Sequence, residues 1–307
     1  MKKKIIFLTG PTGVGKTDLS FRLCDEFPFE IISMDSMQVY QKMDIGTAKA
    51  TKEEQAKYCH HLLDICHPKD NFSVVDYTNL AKRKIDEIYA RGKIPLFVGG
   101  TGLYMNSLRY GYSYKTGMGN KKLREKLEED FDKDGGKKLF HQLKKIDPIT
   151  YDKLHLSDKK RIIRALEVYY EKGEPFSSLQ NDQKEDGDYH CLVFVLSRQR
   201  KILYERINQR VDAMLEDGLI EEVLHLRNRG LNRKDQAMEA IGYKEVLWYL
   251  EGFVTFEEMS RLLKRNSRHY AKRQETWFRK DPNNIWLDAE NLPIENIINK
   301  IKEFLYE

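Results

Sequence analysis

The chain opens on an unbroken apolar run, Ile5-Ile6-Phe7-Leu8, that ends at a glycine. A short continuous run with no polar alternation suits a strand covered on both faces, as in a parallel sheet. Phe29-Glu30-Ile31-Ile32-Ser33-Met34-Asp35 repeats the pattern and closes on a carboxylate, with helical spacing from Asp18 to Phe27 in between. Farther on, residues 51–58 read as a helix and residues 61–66 as a strand. Ser73 to Arg91 reads as a long helix with Ser73 as its cap, and Ile94 to Val98 as a strand before Gly99-Gly100-Thr101-Gly102. Strands alternating with helices predict an α/β fold, a P-loop-type parallel sheet flanked by helices.

The apolar runs stop near Tyr112. Lysine- and glutamate-rich segments with helical spacing follow, at Lys121 to Asp132, Gly136 to Ile146 and Asp158 to Glu171, and residues 181–188 are polar and loop-like. Cys191-Leu192-Val193-Phe194-Val195-Leu196 then reads as a core strand. Asn284 to Asp288 reads as the last strand and the stretch from Ile294 as a closing amphipathic helix. The pattern therefore predicts a core of residues 1–112 and 188–307, interrupted by an all-helical insertion at 113–187.

Composition narrows the class. With 33% charged residues, 40% hydrophobic residues and a mean hydropathy of -0.66, the chain reads as a soluble globular protein. Its first apolar run ends in a glycine-rich loop, which argues against a secretory signal or membrane span and points to the cytoplasm. Cys24, Cys59, Cys66 and Cys191 are too scattered for a disulfide framework and read as free thiols. Cys59-His60-His61 and Cys66-His67 cluster, but without a C-x2-C pair, and the spacing argues against zinc.

The chemistry begins at Gly10-Pro11-Thr12-Gly13-Val14-Gly15-Lys16-Thr17, a G-x-x-x-x-G-K-[ST] motif between a strand and a helix. Its glycines let successive backbone N–H groups face phosphate oxygens. Lys16 reaches the terminal phosphate, and the Thr17 hydroxyl is the candidate ligand for Mg2+. The motif predicts a bound di- or triphosphate without saying which. Asp35 falls at the carboxyl end of the neighbouring strand, where open α/β sheets bind ligands, and on residue grounds is either a general base or a metal or water ligand. Between Arg261 and Lys280, the basic residues Arg261, Lys264, Arg265, Arg268, Lys272, Arg273, Arg279 and Lys280 stand against the single acid Glu275, with Tyr270, Trp277 and Phe278 among them. Such a helix suits a phosphate backbone, or is a solvated face with its aromatics turned to the core. The motifs alone leave open a small-molecule kinase and a nucleic-acid-binding NTPase.

An ordered set of segments resembles the tRNA dimethylallyltransferases over residues 4 to 288. These are the glycine loop, Ser33 to Tyr40 with Met43 to Lys49, Val98 to Tyr104, Arg161 to Val168, Arg206 to Val211, Ile241 to Glu245, and Ala271 to Trp277. The resemblance implies transfer of a dimethylallyl group from dimethylallyl diphosphate to N6 of the adenosine next to the anticodon, position 37, with release of diphosphate. It makes Asp35 the base and adds Arg210 to Lys16 and Thr17 around the diphosphate. It also implies that the anticodon stem-loop of tRNA is gripped by Asp35, Ser36, Met37, Gln38, Thr101, Arg124, Lys160, Arg161, Arg164, Glu239, Gly242, Tyr243 and Lys244. Lys272 and Arg273 join these from the basic helix. A monomer working without a membrane is expected.

Overall fold

The computed structural model describes residues 2–111, 120–179 and 187–306; the expected start of the insertion at 113 and most of the polar stretch 181–188 lie outside them. The chain separates into two compact units, Met1–Tyr110 with Asp186–Glu307, and Gly111–Glu185.

In the first unit, six strands of the described residues form one parallel sheet in the order β3-β2-β4-β1-β5-β6. They are β1 Lys3–Thr9, β2 Phe29–Ser33, β3 His60–His61, β4 Ile94–Gly99, β5 Tyr189–Ser197 and β6 Ile285–Asp288. β1 lies centrally, pairing Ile6 with Leu96 on one side and Ile6 with Leu192 on the other. Side chains from its two faces enter different cores. Ile5 and Phe7 join Ile32, Phe97 and Tyr77, whereas Ile6 and Leu8 join Leu19, Leu23 and Phe194. That two-sided burial is why the strand carries no polar alternation. Helix Val74–Ala90 begins at a capping box, with the Ser73 hydroxyl accepting from the Asp76 amide and Asp76 accepting from the Ser73 amide.

One predicted element is corrected. Residues 61–66 are not a strand: β3 ends at His61, and Leu62 and Asp64 take left-handed backbone angles, φ 62° and 55°. An apolar run that short does not fix its own conformation, and here Leu62 turns into the core while Asp64 turns to Lys49. The Lys49 ammonium is buried and donates to Asp44, Asp64 and the Tyr40 carbonyl at 2.6, 2.6 and 2.9 Å.

The loop after β2 is gathered by a single carboxylate. Glu222 accepts from the amides of Asp44, Ile45 and Gly46 at 2.8, 2.9 and 3.1 Å, and from the buried Tyr243 hydroxyl at 2.6 Å. Truncation strands several donors at once. Glu222→Ala is expected to cost about 2–3 kcal/mol, read as a lower urea midpoint.

The second unit packs helices Lys121–Asp134, Lys137–Ile146 and Lys159–Lys172 around Leu127, Phe131, Leu139, Leu143, Ile162 and Leu166. The buried Asp147 side chain caps the short helix Pro148–Asp152, accepting from the Thr150 amide and hydroxyl at 3.0 and 2.7 Å.

Candidate active site

The carboxyl ends of β1, β2 and β4 meet at one cleft of about 790 Å3. The glycine loop leaves β1 there. Gly10 and Gly15 take φ 141° and 107°, which side chains with a Cβ rarely adopt, and a Cβ on Gly10 would lie 2.6 Å from the Leu196 carbonyl. Helix Lys16–Glu26 starts immediately after the loop, so its positive end and the loop amides address the same volume.

Contacts from distant segments fix the loop. Arg198 and Arg206 donate to the carbonyls of Val14 and Gly13, each at 3.0 Å. Gln274 accepts from the Thr12 amide at 2.9 Å and donates to the Gly100 carbonyl at 3.0 Å, tying the glycine loop to the turn after β4. That turn approaches the backbone too closely for a side chain at Gly99, where a Cβ would lie 2.1 Å from the Met34 carbonyl oxygen. Lys16 folds back, donating to the carbonyls of Gly10 and Pro11 at 3.0 and 2.9 Å. Burial first and the Arg210 charge second, against the opposing pull of Asp35, together lower its pKa to about 7.

Asp35 sits two residues past β2 on the cleft wall. Its Oδ1 accepts from the amides of Met37 and Gln38 at 2.8 and 3.4 Å, an Asx turn that aims the carboxylate. Thr101 opens helix Gly102–Arg109 without capping it; its hydroxyl instead accepts from the Ser36 amide at 3.2 Å. Tyr270, from the basic helix, lines the same cleft, and its hydroxyl pKa is raised by burial and by Asp35. Arg210 is also on the wall, donating to the Thr12 hydroxyl at 3.3 Å, its pKa lowered by burial. Val98, Met37, Met214, Ile241 and Leu263 give the cleft an apolar side.

The sequence-predicted residues divide by place. Thr12 to Thr17, Asp35 to Gln38, Arg210, Glu239, Gly242, Lys244 and Arg273 all line the cleft. Gln38 donates its amide to the carbonyls of Thr47 and Ala48, each at 3.2 Å, and so holds the loop that forms the rim. Tyr243 does not face the cleft: it is fully buried against Gly46, with its hydroxyl on Glu222. Its place is structural, positioning the loop. Lys272 is exposed on helix Phe256–Phe278, and Arg273 lies over the Tyr270 ring at 5.6 Å. Other cations of that helix are engaged within the chain, Lys264 with Asp212 and Arg268 with Asn208, each at 2.5 Å. In the second unit Arg124 and Arg164 both donate to the buried Glu167, at 2.8 and 2.7 Å, while Lys160 and Arg161 are exposed.

A cup of amides and cations beside a carboxylate and an apolar wall suits an anionic ligand with a hydrocarbon part. The family model described as IPP transferase matches residues 38–281. The chain belongs to the IPP transferase family. A tRNA dimethylallyltransferase of Alkaliphilus metalliredigens is 47% identical over 301 residues, covering 98% of this chain and 96% of that protein. Among solved structures, the full-length tRNA isopentenylpyrophosphate transferase of Bacillus halodurans aligns with a TM-score of 0.74 at 43% identity, over 99% of this chain and 97% of that one. A eukaryotic dimethylallyltransferase, captured acting on tRNA, aligns with a TM-score of 0.83 at 30% identity, over 99% of this chain and 80% of that one. The ordered motifs therefore identified an IPP transferase correctly. Sequence reasoning gave no role to Gln274, Arg198 or Tyr270. Gln274 lay inside a matched segment, but its bonds bridge more than 170 positions and leave no periodic trace.

Proposed function

We propose that this IPP transferase moves a dimethylallyl group from dimethylallyl diphosphate to N6 of the adenosine at position 37, beside the tRNA anticodon. The observation that carries the reading is one cleft lined by the glycine loop, Lys16, Arg210 and Asp35 together with the apolar side chains of Val98, Met214, Ile241 and Leu263. The kinship of the relatives above supports the same reaction.

The bond between the first allylic carbon and its diphosphate oxygen breaks, with the electron pair leaving on diphosphate. The loop amides, Lys16 and Arg210 stabilise that developing charge. N6 of adenine forms the new bond to carbon, and its proton passes to the Asp35 carboxylate. Asp35 is held for this by the Met37 and Gln38 amides. An adenine stacked in the anticodon loop cannot enter such a cleft, so the nucleotide is flipped out. The Thr17 hydroxyl is a hard oxygen donor on the cleft wall beside the glycine loop, and such a donor suits Mg2+. When bound, Mg2+ would supply positive charge to the diphosphate. The protein acts as a cytoplasmic monomer; among the described residues no helix is long and apolar enough to cross a membrane.

Incubation with undermodified tRNA, Mg2+ and either radiolabelled dimethylallyl diphosphate or ATP tests the reading. Label entering tRNA from the prenyl donor alone is expected. Label transferred only from ATP would indicate a kinase, and RNA binding without covalent product a nucleic-acid-binding NTPase. The exposed Lys272 and the cleft-side Arg273 are assigned to the RNA backbone. Lys272→Ala with Arg273→Ala should weaken tRNA binding and flatten the slope of log K against log salt by about 1.5 to 2, two phosphate contacts being lost. An unchanged slope would place the RNA elsewhere.

A further inference from the structure

A second cluster of chemistry lies at the edge of the sheet, on the face turned away from His60. β2 and β3 run parallel with Ile31 opposite His60 and Ile32 opposite His61, and the Ile31 amide donates to the Cys59 carbonyl at 2.9 Å. Strand alternation therefore puts Glu30, Cys59 and His61 on one face and His60 on the other. The three side chains converge. The Cys59 thiol is 3.5 Å from His61 Nε2 and 3.7 Å from Glu30 Oε2, and His61 Nε2 is 2.6 Å from Glu30 Oε2. All three donor atoms lie within 4.8 Å of one another.

We propose that Glu30, Cys59 and His61 form a binding site for a borderline-soft divalent cation, Zn2+ foremost. A tetrahedral zinc ion with bonds of about 2.3 Å to sulfur and about 2.0 Å to nitrogen or oxygen sets its sulfur–nitrogen and sulfur–oxygen edges at about 3.5 Å. The two sulfur edges present already have that length. The carboxylate–imidazole edge is at hydrogen-bond length and has to open by somewhat under ~1 Å, to the ~3.3 Å that the same bond lengths require. On binding, the Cys59 thiol loses its proton to solvent and the thiolate, the neutral imidazole nitrogen and the carboxylate oxygen bond the ion. Cys59 is exposed, which leaves the fourth position to water. Thiolate with imidazole favours zinc over magnesium or calcium, so the site selects a different metal from the Thr17 hydroxyl in the cleft.

Arg91 supports the arrangement from behind. Its Nε donates to Glu30 Oε1 at 3.1 Å and its Nη2 to Oε2 at 2.6 Å, fixing the carboxylate plane as an outer partner does for a ligand. The sequence spacing C-x-H lacks the usual cysteine pair because the third donor comes from the neighbouring strand. Occupancy would staple β3, a strand of only two residues, to β2; His60 on its opposite face lines the cleft.

The full-length chain, stripped with chelator, is titrated with Co2+ and then with Zn2+. One Co2+ per chain is expected, with a thiolate-to-cobalt charge-transfer band in the near ultraviolet and the visible bands of a four-coordinate ion, all removed by Zn2+. Cys59→Ser should abolish the charge-transfer band and His61→Ala should weaken binding at least tenfold, with Cys24→Ser and Cys66→Ser unchanged. Zn2+ should raise the melting temperature of the wild type and not of Cys59→Ser, a near-isosteric change at an exposed position. Absence of the band in excess cobalt, its survival in Cys59→Ser, or its loss in Cys66→Ser instead would overturn the assignment.

Discussion

Asp35→Asn is expected to lower single-turnover prenyl transfer by about 10²–10⁴-fold while tRNA affinity stays near the wild-type value. The choice of substitution follows from the local geometry. Oδ1 of Asp35 accepts from the Met37 and Gln38 amides, and an asparagine oxygen keeps both bonds, so the turn at the cleft wall survives. What is lost is the capacity to receive a proton. Asp35→Ala removes the turn as well and should match or exceed the kinetic loss. A rapid-quench measurement of labelled tRNA against enzyme-bound donor isolates the chemical step. Transfer by Asp35→Asn at the wild-type rate would remove this residue from the reaction.

The second large effect concerns Lys16. Its pKa of about 7 in the ligand-free protein leaves it mainly neutral at pH 8, since burial and the Arg210 charge disfavour the ammonium. A diphosphate in the glycine loop reverses that balance and raises the pKa, so binding at pH 8 takes up close to one proton. Because the free-state pKa is the lower of the two, affinity holds below about pH 7 and falls roughly tenfold per pH unit above it, until the bound-state pKa is reached. Calorimetry with a non-hydrolysable allylic diphosphate analogue, in buffers of different ionisation enthalpy, reads the uptake directly. Lys16→Gln should abolish the protein's share of it and weaken binding at pH 6 by about 10²-fold or more. Equal proton uptake by the variant and the wild type would assign the proton to another group.

The features legible in the sequence are those decided by near neighbours. The glycine loop could be read because its amide cup is built from consecutive residues, and helix Val74–Ala90 because Ser73 and Asp76 reciprocate within one turn. Strands β1 and β5 showed as apolar runs because both faces are covered. Leu62 to Ile65 was misread for the same reason the others succeeded: four residues, mostly apolar, resemble a buried strand, yet Leu62 alone enters the core and Ile65 is 40% exposed. Tyr243 resembled a binding residue by its motif, but it packs into the core with its hydroxyl on Glu222, a partner that no local pattern announces. Gln274 shows the same limit, since its value lies in joining two turns that meet only in the folded chain.

The central position of β1 has a consequence on the ribosome. One of its edges pairs with β4, which ends at Gly99, but the other pairs with β5, which ends at Ser197, with the helical unit between them. At a synthesis rate of about 5–20 residues per second, the nascent chain holds that edge, a row of unpaired backbone N–H and C=O groups, open for roughly 5–20 seconds after β4 is complete. The helical unit relies on contacts close in sequence and can collapse while it emerges, whereas the sheet must wait. Nascent β1 is thus the stretch most exposed to aggregation, and a chaperone arriving during this interval would find its natural target there.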